Sequence, residues 1–252
     1  MLLTLGRLPV ALDLARGFDA AGWRVIVAEP FGMHLCRMSR SVHSSVTVPA
    51  PVHDPRRYRD ALLDVVDRYE VDLIVPVSEE TVFVAALGSE LDGSTRLFSA
   101  AEAEVHRLHD KFDFIRFAAS LDLPVPATWR AGDDESLDMT RRQAFVVKPR
   151  NACSGVDIRY YGAGELPTDV EDCVVQERLD GRLLSSFTIA SAGKVMITSI
   201  YEAVVLDGSV GVCFERVDDA SAVDDWINAF VTANGHTGFI SFDFIVDGAG
   251  VA

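Results

Sequence analysis

The order in which apolar segments follow one another constrains the fold of this 252-residue chain more than any other feature. The segment from Leu2 to Leu5 predicts a short buried strand, apolar residues spaced from Val10 to Phe18 predict a helix, and residues 24–28 predict the next strand. The alternation continues with a strand, a helix, a strand and a further helix, over 45–48, about 55–69, 72–75 and after Ser78. Strand, helix and strand in this order indicate a parallel sheet with right-handed crossovers.

The pattern changes after about residue 125, where strand-like runs follow one another without long helices between them. These runs are residues 144–148, 156–160, 173–176, 184–190 and 195–201. A helix at about 223–233 and a strand at 238–246 follow, and residues 132–138 are expected to form an exposed loop. The sequence therefore predicts a parallel α/β part followed by an α+β part with mostly antiparallel sheets.

Composition excludes several classes of partner. The chain is 49% hydrophobic, which is enough for a substantial core, and its formal net charge is -15. Such an acidic chain lacks the clustered basic residues that nucleic acid or an acidic membrane surface requires. No apolar run approaches the roughly 18 residues of a membrane span. The four cysteines are far apart in sequence, which favours a reducing cytoplasm over a disulfide-rich secreted fold.

Lysine is scarce, which makes each lysine worth examining. Only Lys111, Lys148 and Lys194 occur among 23 basic residues. Lys111 follows Asp110, a predicted helix N-cap, and a cation in the first helical turn opposes the helix dipole by about 0.3–1 kcal/mol. An anionic ligand would reverse that cost, although a solvated surface lysine also accounts for the position.

Lys148 ends an apolar strand and precedes Pro149 and a stretch of small residues, 151–155. Small residues allow backbone N–H groups to close around a phosphate, although an ordinary hairpin turn has the same composition.

Lys194 follows Gly193 in a predicted hairpin turn, so no phosphate role is expected for it.

Two further segments carry polar groups at strand ends. Residues 173–181 form an apolar strand that leads into a polar hinge, where free backbone groups can bind the edge of an adenine; a plain strand end is the alternative. In the last strand, Asp243 alternates with Phe242 and Phe244, and a buried, unpaired carboxylate there would be costly. Both a magnesium ion and a salt bridge to an arginine would relieve that cost.

Four segments, taken in order, resemble the ATP-grasp superfamily and in particular its bacterial carboxylate-amine ligases. They are LHDKFDFIRFAASLDLPVPATW from Leu108, FVVKPRNACSGV from Phe145, VVQERLDG from Val174 and GFISFDFIVDGAG from Gly238. The resemblance implies a pre-ATP-grasp α/β domain over residues 1–105 and an ATP-grasp domain over 106–252, with a lid at about 143–180.

The resemblance also implies a binding site for ATP and Mg²⁺. Lys111 and Lys148 would contact the ATP phosphates, and the small-residue loop with Ser154 and Gly155 would cover them. The residues implied for adenine are Gln176, Glu177, Arg178 and Leu179. Asp243, the candidate metal ligand, matches a position that binds magnesium in some members of the family and not in others. Glu79 and Glu80 are candidates to face a substrate, although a solvated helix start explains them equally well.

The sequence departs from the family pattern in two places. Leu183 stands where many members have a glutamate that binds the ribose. Only nine residues follow Asp243, whereas the family places a glutamate and an asparagine that bind magnesium on a later strand. We therefore expect the metal site, as carried by these residues, to be incomplete.

These features lead to one leading hypothesis and two alternatives. The resemblance implies an ATP-dependent ligase that joins a small-molecule carboxylate to an amine through an acyl phosphate, in the cytoplasm, with a homodimer as one expected assembly. A non-catalytic or truncated nucleotide-binding remnant is the first alternative. The second is an NAD-dependent dehydrogenase, although Gly6 is the one glycine in a turn that normally carries several in that class.

Overall fold

The computed structural model describes residues 1–152, 157–207, 210–247 and 250–251. The chain divides into two compact units, Met1–Val105 and His106–Ala252. The strands of the first unit are β1 (Leu2–Thr4), β2 (Ile26–Glu29), β3 (Ser44–Thr47), β4 (Leu73–Val75) and β5 (Arg96–Leu97). They pair in parallel in the order β3-β2-β1-β4-β5, which confirms the predicted parallel sheet.

Helices complete the first unit: α1 (Pro9–Ala20), α2 (Pro55–Tyr69) and α3 (Thr81–Val84), with α4 (Glu102–His109) spanning its boundary. Helix α2 begins where predicted because Asp54 caps it, accepting a 3.0 Å hydrogen bond from the Arg57 amide. Its buried face packs Tyr58 and Leu62 in one core with the sheet residues Leu2 and Ile74. The core therefore forms along the apolar face that the sequence pattern indicated.

The segment after Ser78 differs from the single helix that was predicted. Two 3-10 turns, Ser78–Glu80 and Ala85–Ser89, flank the one-turn helix α3. β-Branched and aromatic residues dominate α3, and these have low helix propensity. The apolar run is thus too poor a helix former to continue as one regular element.

The second unit contains two antiparallel sheets, as expected for the carboxy-terminal part. The smaller has the order β6-β9-β7-β8, from β6 (Thr128–Arg130), β7 (Phe145–Pro149), β8 (Arg159–Tyr161) and β9 (Cys173–Glu177). The larger has the order β12-β11-β10-β13-β14, from β10 (Arg182–Ser191), β11 (Lys194–Asp207), β12 (Val210–Arg216), β13 (Gly238–Asp247) and β14 (Gly250–Val251). The helices are α5 (Lys111–Ser120), α6 (Asp134–Arg142) and α7 (Ser221–Asn234).

An aromatic core covers one face of the larger sheet. Trp226 and Phe230 of α7 stack with ring centroids 5.3 Å apart, and both lie against Phe242 of β13. Phe114 of α5 joins the same cluster. Because side chains alternate along β13, Asp243 lies on the opposite, exposed face. The predicted alternation is confirmed, but Asp243 is not buried.

The predicted loop at 132–138 is wrong, because α6 begins within it at Asp134. Acidic residues at the start of this helix favour its dipole, and Ser136 donates a 2.7 Å hydrogen bond to the Asp133 carbonyl. Only Ser136, Met139 and Thr140 are buried. So narrow an apolar face is hard to distinguish from a polar loop by composition.

Among the described residues, Cys36, Cys173 and Cys213 are free thiols; Cys153 lies outside the described residues. In that same part of the chain, no helix combines the length and the apolar character that crossing a membrane requires.

Candidate functional site

Lys148 projects from the face of the smaller sheet that also carries Gln176 and Thr128. Phe145 and Val147 alternate with it along β7 and belong to the apolar cluster on the other face. The Lys148 Nζ donates a 2.7 Å hydrogen bond to Gln176 Oε1 on the neighbouring strand β9. The strand pairing therefore fixes where this ammonium group is held.

Gln176 in turn connects Lys148 to the edge strand of the sheet. Its side chain is buried, and its Nε2 donates a 2.9 Å hydrogen bond to Thr128 Oγ1, directly opposite on β6. Gln176 was predicted to contribute to adenine binding, and its contact with Lys148 was not foreseen. A glutamine next to the last residue of an apolar strand gives no sequence signal for such a contact.

Lys111 lies at the first turn of α5, where Asp110 caps the helix as predicted. The Asp110 carboxylate accepts hydrogen bonds from the amides of Phe112 (2.9 Å) and Asp113 (3.2 Å). The Lys111 Nζ donates to the backbone carbonyl of Ala152 and, at 3.5 Å, to that of Arg150. Carbonyl oxygens thus offset the unfavourable interaction of this cation with the helix dipole.

Asp243 lies in a row of polar residues across the exposed face of the larger sheet. It accepts a 2.7 Å hydrogen bond from Ser185 Oγ, its cross-strand partner on β10. The pairing continues from Ser185 to Tyr201 on β11 and from Tyr201 to Arg216 on β12. Ser185, Tyr201 and Arg216 were not predicted as site residues, because only the strand register places them in one row with Asp243.

The charges of Lys111 and Asp243 both act on Lys148. Burial lowers the pKa of Lys148; the negative charge of Asp243 opposes that shift, and the positive charge of Lys111 adds to it. Burial, together with Asp243, also raises the pKa of Tyr201. Lys148 therefore senses both the positive charge of Lys111 and the negative charge of Asp243, residues far from it in the sequence.

The hinge residues differ in how their polar groups are used. The Glu177 carboxylate accepts a 2.6 Å hydrogen bond from the Ala127 amide, and the Arg178 amide donates to the Ala144 carbonyl at 3.2 Å. Within the described ranges, Leu179 makes no backbone hydrogen bond. The backbone groups of Leu179 are therefore among those in the hinge that can bind a ligand. The predicted loop residues Ser154 and Gly155 lie outside the described residues.

The metal chemistry implied by the resemblance has one candidate ligand here. Asp243 presents an exposed carboxylate, an oxygen donor of the kind that magnesium prefers. Among the residues that the structure describes, no group of three or more His, Cys, Asp or Glu side chains is placed to hold a metal ion. Magnesium binding at Asp243 therefore stays a prediction.

The first unit contains the other acidic residues that were considered for a substrate. Glu79 is exposed, whereas Glu80 is only 3% exposed and accepts a 2.7 Å hydrogen bond from the Tyr58 hydroxyl. A solvated helix start therefore does not account for Glu80. Nearby, Glu29 is fully buried and accepts hydrogen bonds from the backbone and guanidinium of Arg7.

A family model of the ATP-grasp domain matches residues 108–236, which are more than half of the chain. Solved structures of similar fold include the L-amino acid ligase from Bacillus licheniformis, with 17% identity and a TM-score of 0.77 over 99% of this chain. The N5-carboxyaminoimidazole ribonucleotide synthetase from Thermus thermophilus is 14% identical, with a TM-score of 0.73 over 100% of this chain and 69% of its own.

The biotin carboxylase domain of the Hydrogenobacter thermophilus 2-oxoglutarate carboxylase, solved as a dimer with MgADP, ADP and bicarbonate, is 12% identical with a TM-score of 0.76 over 99% of this chain. The chain spans 64% of the Bacillus ligase and 61% of the Hydrogenobacter domain. No curated protein sequence matches it significantly. The matched ATP-grasp model, the sequence motifs and the two antiparallel sheets agree, and the chain belongs to the ATP-grasp family.

Proposed function

We propose that this protein binds ATP in its second unit and uses it to join a carboxylate to an amine. The observation that carries the proposal is that Lys111 bonds the carbonyl of Arg150, two residues from Lys148, and that the charges of Lys111 and Asp243 both act on Lys148. Two ammonium groups on separate elements provide what a polyphosphate requires, in a chain that otherwise relies on arginine.

The rest of the proposed nucleotide site follows from strand β9 and the hinge after it. Adenine would lie along residues 176–179, with the free backbone groups of Leu179 as hydrogen-bond partners. Leu183 is on the face that carries Asp243 and is 54% exposed, but its side chain cannot hydrogen-bond a ribose. We therefore assign affinity mainly to the phosphates and the base, with Ser154 and Gly155 proposed to cover the phosphates.

The proposed reaction needs positioning and charge neutralisation more than covalent chemistry by the protein. A substrate carboxylate attacks the γ-phosphate and ADP leaves; an amine then attacks the acyl phosphate, loses a proton and releases phosphate. Lys111 and Lys148 would neutralise the phosphate oxygens during the first transfer. Asp243 would hold magnesium, which supplies further charge neutralisation when bound.

The substrate class rests on the neighbours whose names describe it. They include an L-amino acid ligase and a biotin carboxylase domain crystallised with bicarbonate. We infer small-molecule carboxylate and amine substrates for this chain, and a homodimer as its assembly. The free thiols of Cys36, Cys173 and Cys213 support the cytoplasm as its compartment.

Calorimetric titration of ATP into the wild type, Lys148→Ala and Lys194→Ala tests the nucleotide site. Lys148→Ala should weaken ATP binding at least tenfold, equivalent to about 1.4 kcal/mol, because it removes a charge beside the phosphates. Lys194→Ala should bind ATP like the wild type, because Lys194 begins β11 after the predicted hairpin turn. Equal effects of the two substitutions would rule out the phosphate assignment.

Ligation is tested separately from binding by following ADP release with panels of carboxylates and amines, with and without magnesium. Release that requires both a carboxylate and an amine supports a ligase. ATP binding that depends on Lys148 but gives no ADP with any acceptor supports the alternative of a nucleotide-binding protein without turnover.

A further inference from the structure

Arg150 forms an ion pair with Asp110, the residue that caps α5. The guanidinium donates to both carboxylate oxygens, with a distance of 3.3 Å from Nε to Oδ1, and its Nη2 bonds Oδ2. The two side chains are only 22% and 12% exposed. Burial alone would raise the pKa of Asp110, but the hydrogen bonds from Arg150 and from the amides of Asp113 and Phe112 outweigh it and the pKa is lowered.

The backbone of Arg150 contacts the same helix end and a neighbouring strand. Its carbonyl accepts a 3.1 Å hydrogen bond from the Lys111 amide and a longer one from the Lys111 Nζ. Its amide donates to the Asp172 carbonyl at 2.9 Å, just before β9 begins. Arg150 therefore joins the start of α5 to the strand pair that carries Lys148 and Gln176.

The Asp110–Arg150 ion pair differs from a second ion pair of similar geometry in its position relative to the two lysines. Arg182 and Glu202 also form a bidentate ion pair. Arg182 Nε and Nη2 each lie 2.6 Å from a carboxylate oxygen of Glu202, but Arg182 is 51% exposed. The strand register places Arg182 on the face of the larger sheet opposite Asp243. Exposed pairs of that kind contribute little to stability. The Asp110–Arg150 pair, by contrast, is adjacent in sequence to Lys111 on one side and two residues from Lys148 on the other.

We propose that Arg150 is a positioning residue that, through Asp110 and its own carbonyl, holds the Lys111 ammonium group beside Lys148 for phosphate binding. The proposal rests on the proposed phosphate role of the two lysines. Arg150 need not touch the nucleotide. Its effect on ATP binding passes through Lys111 and is therefore specific for ligands with phosphates.

The test compares Arg150→Met, Lys111→Ala and the double variant in the full 252-residue chain. Calorimetry measures the Kd for ATP and for adenosine, and circular dichroism verifies that each variant is folded. Arg150→Met should raise the Kd for ATP about five- to twentyfold and leave the Kd for adenosine unchanged. In the Lys111→Ala background, the same substitution should change the Kd for ATP less than about twofold, because the group it positions is gone.

Two further variants keep the test decisive. Asp110→Asn retains a helix cap but loses the charge, so it should raise the Kd for ATP in the same direction by a smaller factor even if Arg150→Met folds poorly. Arg182→Met removes the bidentate ion pair between Arg182 and Glu202, and this variant should bind ATP like the wild type.

The outcomes distinguish this inference from the function on which it rests. Wild-type affinity in both Arg150→Met and Asp110→Asn, combined with weak binding by Lys111→Ala, overturns the positioning role and leaves the ATP site standing. An equal loss of ATP and adenosine binding in Arg150→Met also overturns it. So does a five- to twentyfold rise in the Kd for ATP when Arg150→Met is added to Lys111→Ala. No effect of Lys111→Ala and Lys148→Ala on ATP binding overturns the proposed function itself.

Discussion

At the first turn of the parallel sheet, Gly6 occupies a position where a side chain has no room. A Cβ atom built there would lie 2.5 Å from Val27 Cγ1 and 2.7 Å from His34 Nδ1. The Gly6 carbonyl also contacts the Cys36 amide at 3.1 Å and His34 Nδ1 at 3.2 Å. The absence of a side chain at Gly6 therefore allows Val27 and His34 to pack closely. Because packing accounts for this glycine, it no longer points to a dinucleotide-binding turn.

Gly6→Ala should lower the free energy of unfolding by about 1–3 kcal/mol, because Val27 and His34 must move to admit the methyl group. The matched control is Gly17→Ala in α1, where an added Cβ meets nothing within 4 Å. That substitution should stabilise the protein by about 0.5–1 kcal/mol, because alanine is the better helix former. Urea denaturation measures both. A Gly6→Ala variant as stable as the wild type would contradict the packing role.

At the scale of elements, α2 is joined to the 3-10 turn Ser78–Glu80 by the hydrogen bond from Tyr58 to Glu80. Burial raises the pKa of Glu80, and the Tyr58 hydroxyl lowers it only in part. Glu80 Oε1 is buried and accepts no hydrogen bond from the described residues. An uncharged carboxyl group suits such a position better than a carboxylate.

This raised pKa makes the stability of the fold depend on pH. The folded state holds the Glu80 proton more tightly than the unfolded state, so the stabilisation is complete below the unfolded pKa of about 4.3 and is lost as pH rises through the folded pKa. Each unit of difference corresponds to about 1.4 kcal/mol. Glu80→Gln should therefore reduce the dependence of the free energy of unfolding on pH. Urea denaturation at a series of pH values measures this dependence. Glu79→Gln, at an exposed position, should leave it unchanged; a wild-type slope in Glu80→Gln would contradict the assignment.

For the whole molecule, the net charge of -15 contrasts with a site that gathers two ammonium groups. An overall negative field disfavours the approach of ATP, so the proposed ATP binding would depend on the local positive charges of Lys111 and Lys148. Gly6, the glycine on which the dehydrogenase alternative depends, is accounted for by its close packing against Val27 and His34.

ATP with magnesium should therefore raise the thermal unfolding midpoint, and NAD should not. At a ligand concentration of about 100 times Kd, binding adds about 2.7 kcal/mol to the free energy of unfolding. Differential scanning fluorimetry with each ligand at matched ionic strength measures the shift. A shift with NAD and none with ATP would favour the dehydrogenase alternative.

The sequence by itself determined the alternation of strands and helices that gives the parallel sheet, the change from parallel to antiparallel sheets, the Asp110 cap and the placement of Lys148 at a strand end. Each depends on residues close together in the chain, through side-chain periodicity or local hydrogen bonds. Only the tertiary structure decided the contacts of Lys148 with Gln176, Arg150 with Asp110 and Ser185 with Asp243, which span 28, 40 and 58 residues. Strand register and helix docking set these contacts, and local sequence carries no record of either.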